Sequence, residues 1–497
     1  MNTDSFPFFW RLYVSFPATH LQWFPELAKW TPALNANLKY TESAMNSYFL
    51  RSNAFRWWAL VGGVAVFNLC LTVPMHSEAN ENGQVGQSEK AKTQSNKAEK
   101  QHREKEADEK DENKPKDGGT SGGGSASYVV LGYNDLGMHC MNQDFSRLCI
   151  LPPFNNLHAQ VIQRGKEPRI VTRGVDVLYS IPSNTRSSDK TNFWTWSNKL
   201  FPNSNLPKDV GLTGNSLKGK MVPTGQNDWV ATGIPVTPID DSGSLNPYPI
   251  SEIKVASAGK TLATTHAVVP VSWEISCNLC HPNVPAGTPV TGAEVEFDIL
   301  RRHDIKHRTQ LENSAASGQP VLCAACHGDP ALGTTNAPGV KSSLSHAMHG
   351  SHASRVAPLT QMGRNACYAC HPGFQTNCQR DIHFAKGIFC TECHGDMSAV
   401  ADPARTPWVS QPTCGSCHKE RRPEFAFEEP GKLFKDSHGH GNVHCSACHG
   451  SPHAIGPAVT PQDNLQAIEH QGFAGTISKC TVCHTSTPRE RFEHKRD

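Results

Sequence analysis

The sequence has no dominant sign of charge and few apolar residues. Its 497 residues include 47 Lys and Arg against 45 Asp and Glu, a net charge of +2. This balance indicates neither a nucleic-acid partner nor binding to an acidic membrane surface. Hydrophobic residues make up 37% of the chain, and about 45% with glycine included, the low end for a globular protein. Either part of the chain stays unfolded, or something other than side chains fills its core.

The motifs of several enzyme classes are also missing. There is no H-E-x-x-H motif, no Ser/His/Asp order and no glycine fingerprint for nucleotides between a strand and a helix. Cysteine and histidine are abundant instead, with 18 and 25 copies, and fifteen of the cysteines follow residue 270. The length predicts two or three domains, and the unusual chemistry is concentrated in the last of them.

Residues 1–79 form an N-terminal extension that ends in a predicted export signal. The apolar run 54–73 has Arg51 and Arg56 at its start, the charge order of an export segment, and a small-x-small cleavage site follows it. We predict an exported protein, located in the periplasm, outside the cell or at the cell surface. An uncleaved helix of about 17–20 apolar residues would instead anchor the chain to the membrane.

Two regions of different composition follow. Residues 80–127 combine mixed charge with a glycine- and serine-rich end, and this tract has too little apolar surface to fold alone, so we predict a disordered linker. In residues 128–272, short runs rich in β-branched residues, such as YVVLGY and ISEIKVAS, are separated by turn-rich stretches. This spacing predicts a β-rich domain, either a sandwich or a small barrel.

One pentapeptide recurs seven times in the last region, residues 273–497. The pattern C-x-x-C-H occurs at 277–281, 323–327, 367–371, 390–394, 414–418, 445–449 and 480–484. It is the attachment sequence of c-type haem, in which two thiols bind the porphyrin and the adjacent histidine binds the iron. Zinc is the rival cofactor, but zinc knuckles do not require a histidine directly after every second cysteine.

These motifs, with segments such as DILRRHDIKH, AMHGSHA and CSACHGSPHA, resemble those of bacterial multihaem c-type cytochromes of periplasmic or extracellular electron transfer. The stretch LGYNDLGMHCMNQDFS is similar to a leader domain of such proteins. The resemblance implies seven covalently attached haem c groups inside a loop-rich domain with short helices. The attachment cysteines are Cys277, Cys280, Cys323, Cys326, Cys367, Cys370, Cys390, Cys393, Cys414, Cys417, Cys445, Cys448, Cys480 and Cys483. The proximal ligands are His281, His327, His371, His394, His418, His449 and His484.

Each iron needs a sixth ligand, and a second imidazole gives a low-spin site suited to electron transfer. From residue 261 onward, thirteen histidines lie outside the motifs, more than the seven needed. Helical spacing and nearness to the motifs select seven distal candidates: His303, His307, His349, His352, His383, His440 and His453. His139 and His158 are alternatives from the β-rich region, although ordinary hydrogen bonds are the simpler expectation for both.

Three cysteines lie outside both the motifs and the export segment. A disulfide between Cys140 and Cys149 is one alternative for an exported chain, and Cys378 has no predicted role.

We therefore predict an exported heptahaem cytochrome that moves electrons along closely packed bis-histidine haems, with no bond-making chemistry. Its partners would be other redox proteins, such as membrane quinol-linked or outer-membrane cytochromes. Two alternatives stay open. One is a reductase of nitrogen or sulfur oxyanions with one open haem, although the C-x-x-C-K site of such enzymes does not occur here. The other is a homo-oligomeric conductive filament in which His139, His158 or His494 binds haem in a neighbouring subunit.

Overall fold

The computed structural model describes residues 127–285, 288–356 and 366–489, together with His494. The predicted export segment and all but the last residue of the predicted linker lie outside the described residues. Within the described part of the chain, no helix combines the length and the apolar character needed to cross a membrane. Apart from Pro285 and Thr288, the described residues belong to one compact unit. The β-rich and cysteine-rich regions are therefore packed together.

The strands concentrate before residue 273. In chain order they are β1 Tyr128–Tyr133, β2 His139–Cys140, β3 Leu148–Cys149, β4 Asn155–Gln163, β5 Arg169–Ile170, β6 Asp176–Ser180, β7 Lys218–Lys220, β8 Val222–Pro223, β9 Trp229–Ile234, β10 Ile250–Ser257, β11 Lys260–Val268, β12 Val271–Ser272 and β13 Val321–Leu322. One sheet has the order β1–β4–β9–β8 with β5 beside β4, and a second has the order β11–β10–β6–β7. Both sheets are antiparallel. Strands β10 and β11 are joined by a short turn, whereas neighbours such as β4 and β9 are far apart in the chain.

The two sheets share one hydrophobic core. In β10, Ile253 and Val255 are buried and alternate with partly exposed residues. In β6, the buried Val177 likewise lies between two exposed residues. These side chains meet Leu157 and Val161 of β4 from the first sheet. The period of two places one face of each strand of the second sheet inward, which explains the alternation seen in ISEIKVAS.

Strands β1 and β4 differ because both of their faces are covered. One face joins the core between the sheets, while Leu131, Tyr133 and Ile162 on the other face pack against Ala447 and Val482 of the cysteine-rich region. A strand buried on both faces needs a continuous apolar run rather than an alternating one. The sequence YVVLGY has this character, so it marks the strand to which the cysteine-rich region attaches.

Among the described residues, one α-helix lies within the β-rich region and the others follow residue 273. In chain order the α-helices are α1 Phe193–Leu200, α2 Gly292–His307, α3 Leu311–Ala316, α4 Leu344–Val356, α5 Ile382–Ala385, α6 Cys390–His394, α7 Met397–Val400, α8 Gly415–His418, α9 Cys445–His449 and α10 Pro461–Gln471. The 3₁₀ turns of the described residues include Cys277–Leu279, Cys323–Ala325, Pro330–Leu332, Phe434–Asp436, His440–Asn442 and Cys480–Val482. A β-rich region is thus followed by a cysteine-rich region of loops and mainly short helices, as predicted.

Three helices of the cysteine-rich region are longer than the short helices that the sequence predicts. Helices α2, α4 and α10 have 16, 13 and 11 residues. The ends of α2 are well defined, because Thr291 and Glu294 form a capping box and Arg308 adopts a left-handed conformation with φ of 58°. Both α2 and α4 carry histidines discussed below.

A carboxylate just after the β-rich region binds a distant loop of the cysteine-rich region. Glu274 accepts hydrogen bonds from the backbone N–H groups of Phe374, Gln375 and Thr376, at 2.7, 3.0 and 2.8 Å. Charged acceptors of several backbone N–H groups form strong hydrogen bonds. These three residues lie three to five positions after the third motif, so Glu274, two residues beyond β12, fixes the chain shortly after it leaves that motif.

Candidate haem centres

Each C-x-x-C-H motif begins a short helical turn. The backbone N–H of the histidine bonds to the carbonyl of the first cysteine in the turns that end at His281, His327, His371, His418 and His484, at 2.9–3.0 Å. A helical turn places side chains three and four positions apart on one side. The two thiols and the imidazole of a motif therefore face the same space, as thioether attachment and iron ligation require.

Every motif histidine lies opposite one histidine from outside the motifs. We number these histidine pairs 1 to 7 by motif: His281 with His352, His327 with His303, His371 with His349, His394 with His453, His418 with His383, His449 with His494, and His484 with His440. Their ring centroids are 6.4, 6.4, 6.2, 6.1, 6.1, 5.7 and 6.1 Å apart, in that order.

This separation is what a shared metal ion demands. An imidazole nitrogen lies about 2 Å from a metal ion that it binds and about 1 Å from its own ring centre, so two imidazoles on opposite sides of one ion have centroids about 6 Å apart. The contacts between other histidines are shorter: 4.8 Å between His303 and His307, and 4.1 Å between His438 and His444. The seven pairs thus fit the two axial ligands of a haem iron.

Hydrogen bonds orient most of the paired rings through Nδ1. Such bonds are present at ten of them: His281 to Asp298, His303 to Thr309, His327 to Ser342, His349 to Ser345, His352 to Met348, His383 to Asp381, His449 to Thr476, His453 to Cys378, His484 to Lys166 and His494 to Ala426. In the described structure, none of these ten rings forms a hydrogen bond through Nε2. An Nδ1–H bond fixes the tautomer whose Nε2 lone pair can bind a metal.

Burial keeps several of these rings neutral. Burial, with smaller effects from neighbouring histidines, lowers the pKa of His371, His449 and His453 to about 4. A histidine must be neutral to bind a metal ion. These rings are therefore in the ligand-competent form at neutral pH.

Most predicted distal candidates lie opposite a motif histidine. These are His303, His349, His352, His383, His440 and His453. His307 does not: it contacts His303 from the next turn of α2 and is exposed. The seventh histidine that lies opposite a motif histidine is His494, which faces His449. Sequence spacing could not find this partner, because His494 lies 45 residues after His449 and is brought back only by the fold.

The histidines of the β-rich region have other partners. His139 bonds through Nε2 to the carbonyl of Pro152 at 2.6 Å. His158 lies between Asp135 and Asp228, with N–O distances of 3.4 and 2.7 Å. Burial alone would lower the pKa of His158, but the two carboxylates outweigh it and raise the pKa to about 9. Both rings make the ordinary hydrogen bonds that were the simpler expectation.

The cysteines outside the motifs do not form the disulfide considered from the sequence. Cys140 and Cys149 are both free thiols. Cys140 instead neighbours Cys378, and Cys149 neighbours Cys323 of the second motif. Cys378, which had no predicted role, lies 3.5 Å from Nδ1 of His453 through its Sγ. The two cysteines do not meet because their strands have different partners. Strand β2, with Cys140, pairs with β12, and β3, with Cys149, pairs with β13.

The β-rich region reaches two of the pairs directly. The carbonyl of Lys166 accepts the Nδ1 bond of His484 at 2.8 Å. Gly137, with φ of 74°, lies so close to His453 that an added Cβ would be 3.0 Å from its Nδ1. Gly137 belongs to the LGYNDLGMHC stretch, so this part of the leader sequence packs against a paired histidine. Within the described residues, no group of three or more His, Cys, Asp or Glu side chains is arranged to hold a metal ion by itself.

Comparison with protein families agrees with this geometry. Residues 382–459 match the model of the cytochrome c3 family, a stretch that contains motifs four to six together with His383, His440 and His453. The match supports a multihaem c-type cytochrome of electron transfer that binds haem c covalently. No significant match to the chain was found among curated proteins or among solved structures.

Proposed function

We propose that the chain is an exported heptahaem c-type cytochrome that carries electrons along a row of bis-histidine haems. The observation that carries the proposal is the set of seven histidine pairs, each joining one motif histidine to one other histidine at 5.7–6.4 Å. The fourteen motif cysteines supply two thioether bonds for each of seven haem groups. When bound, each haem supplies reversible exchange between Fe(III) and Fe(II).

The protein residues hold the cofactors and set their energetics. The paired imidazoles occupy both axial positions, so little ligand rearrangement accompanies a change of oxidation state. The Nδ1 acceptors differ between pairs: a carboxylate at His281 and His383, and a carbonyl at His327 and His484. A carboxylate acceptor makes the imidazole more basic and favours the ferric state. The residues of the chain therefore assign different potentials to chemically identical cofactors.

The seven histidine pairs favour an electron carrier over a reductase. A reductase needs an axial position open to substrate, whereas each of the seven motif histidines has a partner ring. The three histidines considered as donors to a neighbouring subunit are engaged within the chain: His139 with Pro152, His158 with two aspartates, and His494 with His449. The filament alternative therefore gains no support from them.

We propose that the predicted export segment directs the protein to the periplasm, the outside of the cell or the cell surface, with the predicted charged linker as a tether. Donors and acceptors would be other redox proteins, including membrane quinol-linked and outer-membrane cytochromes. Because the net charge is only +2, long-range attraction by the whole protein is weak, and recognition would depend on local surfaces.

Haem content and spin state test the proposal. We expect a pyridine haemochrome assay on the full chain to give seven haems per protein and electron paramagnetic resonance of the oxidised protein to show only low-spin iron. A stoichiometric high-spin signal that shifts on addition of nitrite or sulfite would favour the reductase instead. Absence of covalent haem after expression with a cytochrome c maturation system would overturn both functions.

A second prediction concerns the carboxylate at pair 1. Asp298 Oδ2 lies 2.7 Å from Nδ1 of His281 and 2.7 Å from Nε of Arg302. D298N removes a negative charge that favours the ferric iron, so we expect the potential of one haem to rise. A tenfold change in the balance of the two states corresponds to about 59 mV, and a shift of that order is measurable by spectroelectrochemical titration.

The control for D298N is E312Q, which removes an equal charge from the following helix, α3. Glu312 pairs with Arg301 on the surface and touches no paired histidine. Solvent and salt screen its effect, so its titration should match that of the unmodified protein. Equal shifts in both variants would show that net charge, rather than the hydrogen bond, sets the potential.

A further inference from the structure

Resting on the proposed function, we infer that the seven histidine pairs form one line in the spatial order 2–1–3–4–5–6–7. Pair 1 lies between pairs 2 and 3, so the line does not follow the order of the motifs. Pairs 2 and 7 are then its two ends, where electrons enter and leave. The inference comes from the elements that carry more than one pair and from the side chains that lie between neighbouring motifs.

Helix α4 joins pairs 1 and 3. It carries His349 of pair 3 and His352 of pair 1, three positions apart and thus on neighbouring parts of one face, roughly 5 Å apart along that face. The motif cysteines of the two pairs are also neighbours. Cys277 of the first motif lies near Cys370 of the third, and Cys280 also lies near Cys370.

Helix α2 joins pair 2 to pair 1. Asp298 bonds to His281 of pair 1, and His303 of pair 2 follows five residues later on the same helix. A rise of 1.5 Å per residue separates these two positions by about 7.5 Å along the axis. On its other side, the second motif borders the β-rich region, because Cys323 neighbours Cys149 of β3. Pair 2 therefore has pair 1 on one side and protein on the other.

The rest of the line follows the order of the motifs. The side chains of Cys367 and Cys390 lie next to each other, which makes motifs three and four adjacent. Cys393 of the fourth motif lies near Cys417 of the fifth, which makes motifs four and five adjacent.

Pairs 5, 6 and 7 are connected by the segments between their motifs. After motif five, Phe425 stacks on His494 of pair 6 with centroids 4.7 Å apart, and Ala426 N–H bonds to the carbonyl of His494 at 2.7 Å. Before motif seven, the N–H of Ile477 bonds to the carbonyl of Cys448 at 2.9 Å. The segments before and after motif six thus both contact pair 6, which places pair 6 between pairs 5 and 7.

The iron positions in the haem-loaded full chain test this order. We would locate them by anomalous scattering from crystals or by electron cryo-microscopy. The expected result is that the iron bound at motif three has the irons of motifs one and four as its nearest neighbours, and that the iron of motif two lies nearest that of motif one. The order is overturned if the irons of motifs two and four flank motif three.

Failure of the order and failure of the proposed function have different signatures. Seven low-spin haems with irons in motif order would refute only the spatial order. A protein with fewer covalent haems, or with the histidine pairs replaced by other ligands, would refute the proposed function. The iron map reports each case separately, because it shows the number of irons, their ligands and their distances in one measurement.

Discussion

Replacing His303 by methionine is expected to raise the potential of one haem by on the order of 0.2 V, a fraction of the roughly 0.8 V range that axial ligands control. His303 lies opposite His327 with centroids 6.4 Å apart, and its Nδ1 bonds to Thr309 at 2.9 Å. Thioether sulfur stabilises ferrous iron more than imidazole does, which raises the potential. Spectroelectrochemical titration of the oxidised full chain would show one component displaced from the other six.

The neighbouring H307M variant is the matched control. His307 lies one turn along α2, is exposed and contacts only the ring of His303 among the described histidine rings. Methionine is at least as good a helix former as histidine, so α2 should persist in both variants. We expect H307M to leave every potential unchanged. A displaced component in H307M together with an unchanged H303M titration would reverse the assignment of pair 2.

Replacing Arg380 by methionine is expected to destabilise the fold by about 3–5 kcal/mol, the usual cost of breaking a buried ion pair. The side chain of Arg380 is 0% exposed, and its guanidinium makes two hydrogen bonds to Asp463, at 2.6 and 3.0 Å. It also donates to the carbonyls of Gly137 and Cys378 and lies 5.3 Å from the centroid of the Tyr248 ring. R380M would leave the buried carboxylate of Asp463 without its ionic partner, with the hydroxyl of Thr460 still donating to it.

This arginine connects three parts of the molecule: the leader stretch at Gly137, the loop that carries Cys378, and helix α10 through Asp463. We expect the midpoint of urea unfolding, followed by circular dichroism of the haem-loaded protein, to fall markedly in R380M. The double variant R380M/D463L should recover part of the loss, because it removes the unpaired charge as well.

The exposed pair of Arg301 and Glu312 supplies the comparison. Its arginine side chain is 53% exposed and binds its partner at 2.6 Å. Exposed ion pairs contribute about 0–1 kcal/mol, so R301M should shift the unfolding midpoint little. Equal losses in R301M and R380M would mean that burial of Arg380 adds nothing to the strength of its ion pair.

The local pattern of residues was sufficient to predict the motifs and most of the strands. Each C-x-x-C-H motif is read from five consecutive residues, and β-branched runs such as ISEIKVAS form strands wherever one face can be buried. Helical spacing also placed His349 and His352 on one element, since residues three apart share a face. These inferences succeed because they depend only on neighbours in the chain.

Pairings between distant residues were decided only by tertiary structure. His494 rather than His307 faces a motif histidine because the chain after motif seven returns to His449. A periodic sequence pattern predicts only contacts between residues close in the chain, so it could not predict this return. Cys140 likewise neighbours Cys378 rather than Cys149, because β2 and β3 pair with strands from different later segments.

The sequence by itself determined the features on which the proposed chemistry rests: seven C-x-x-C-H motifs, an excess of histidine and a β-rich region ahead of them. The tertiary structure decided which histidine faces which motif, and from it we infer the order of the pairs. The physical reason is that thioether attachment is a local property of five residues, whereas axial ligation and the spacing of pairs depend on how helices α2 and α4 and the connecting loops pack against one another.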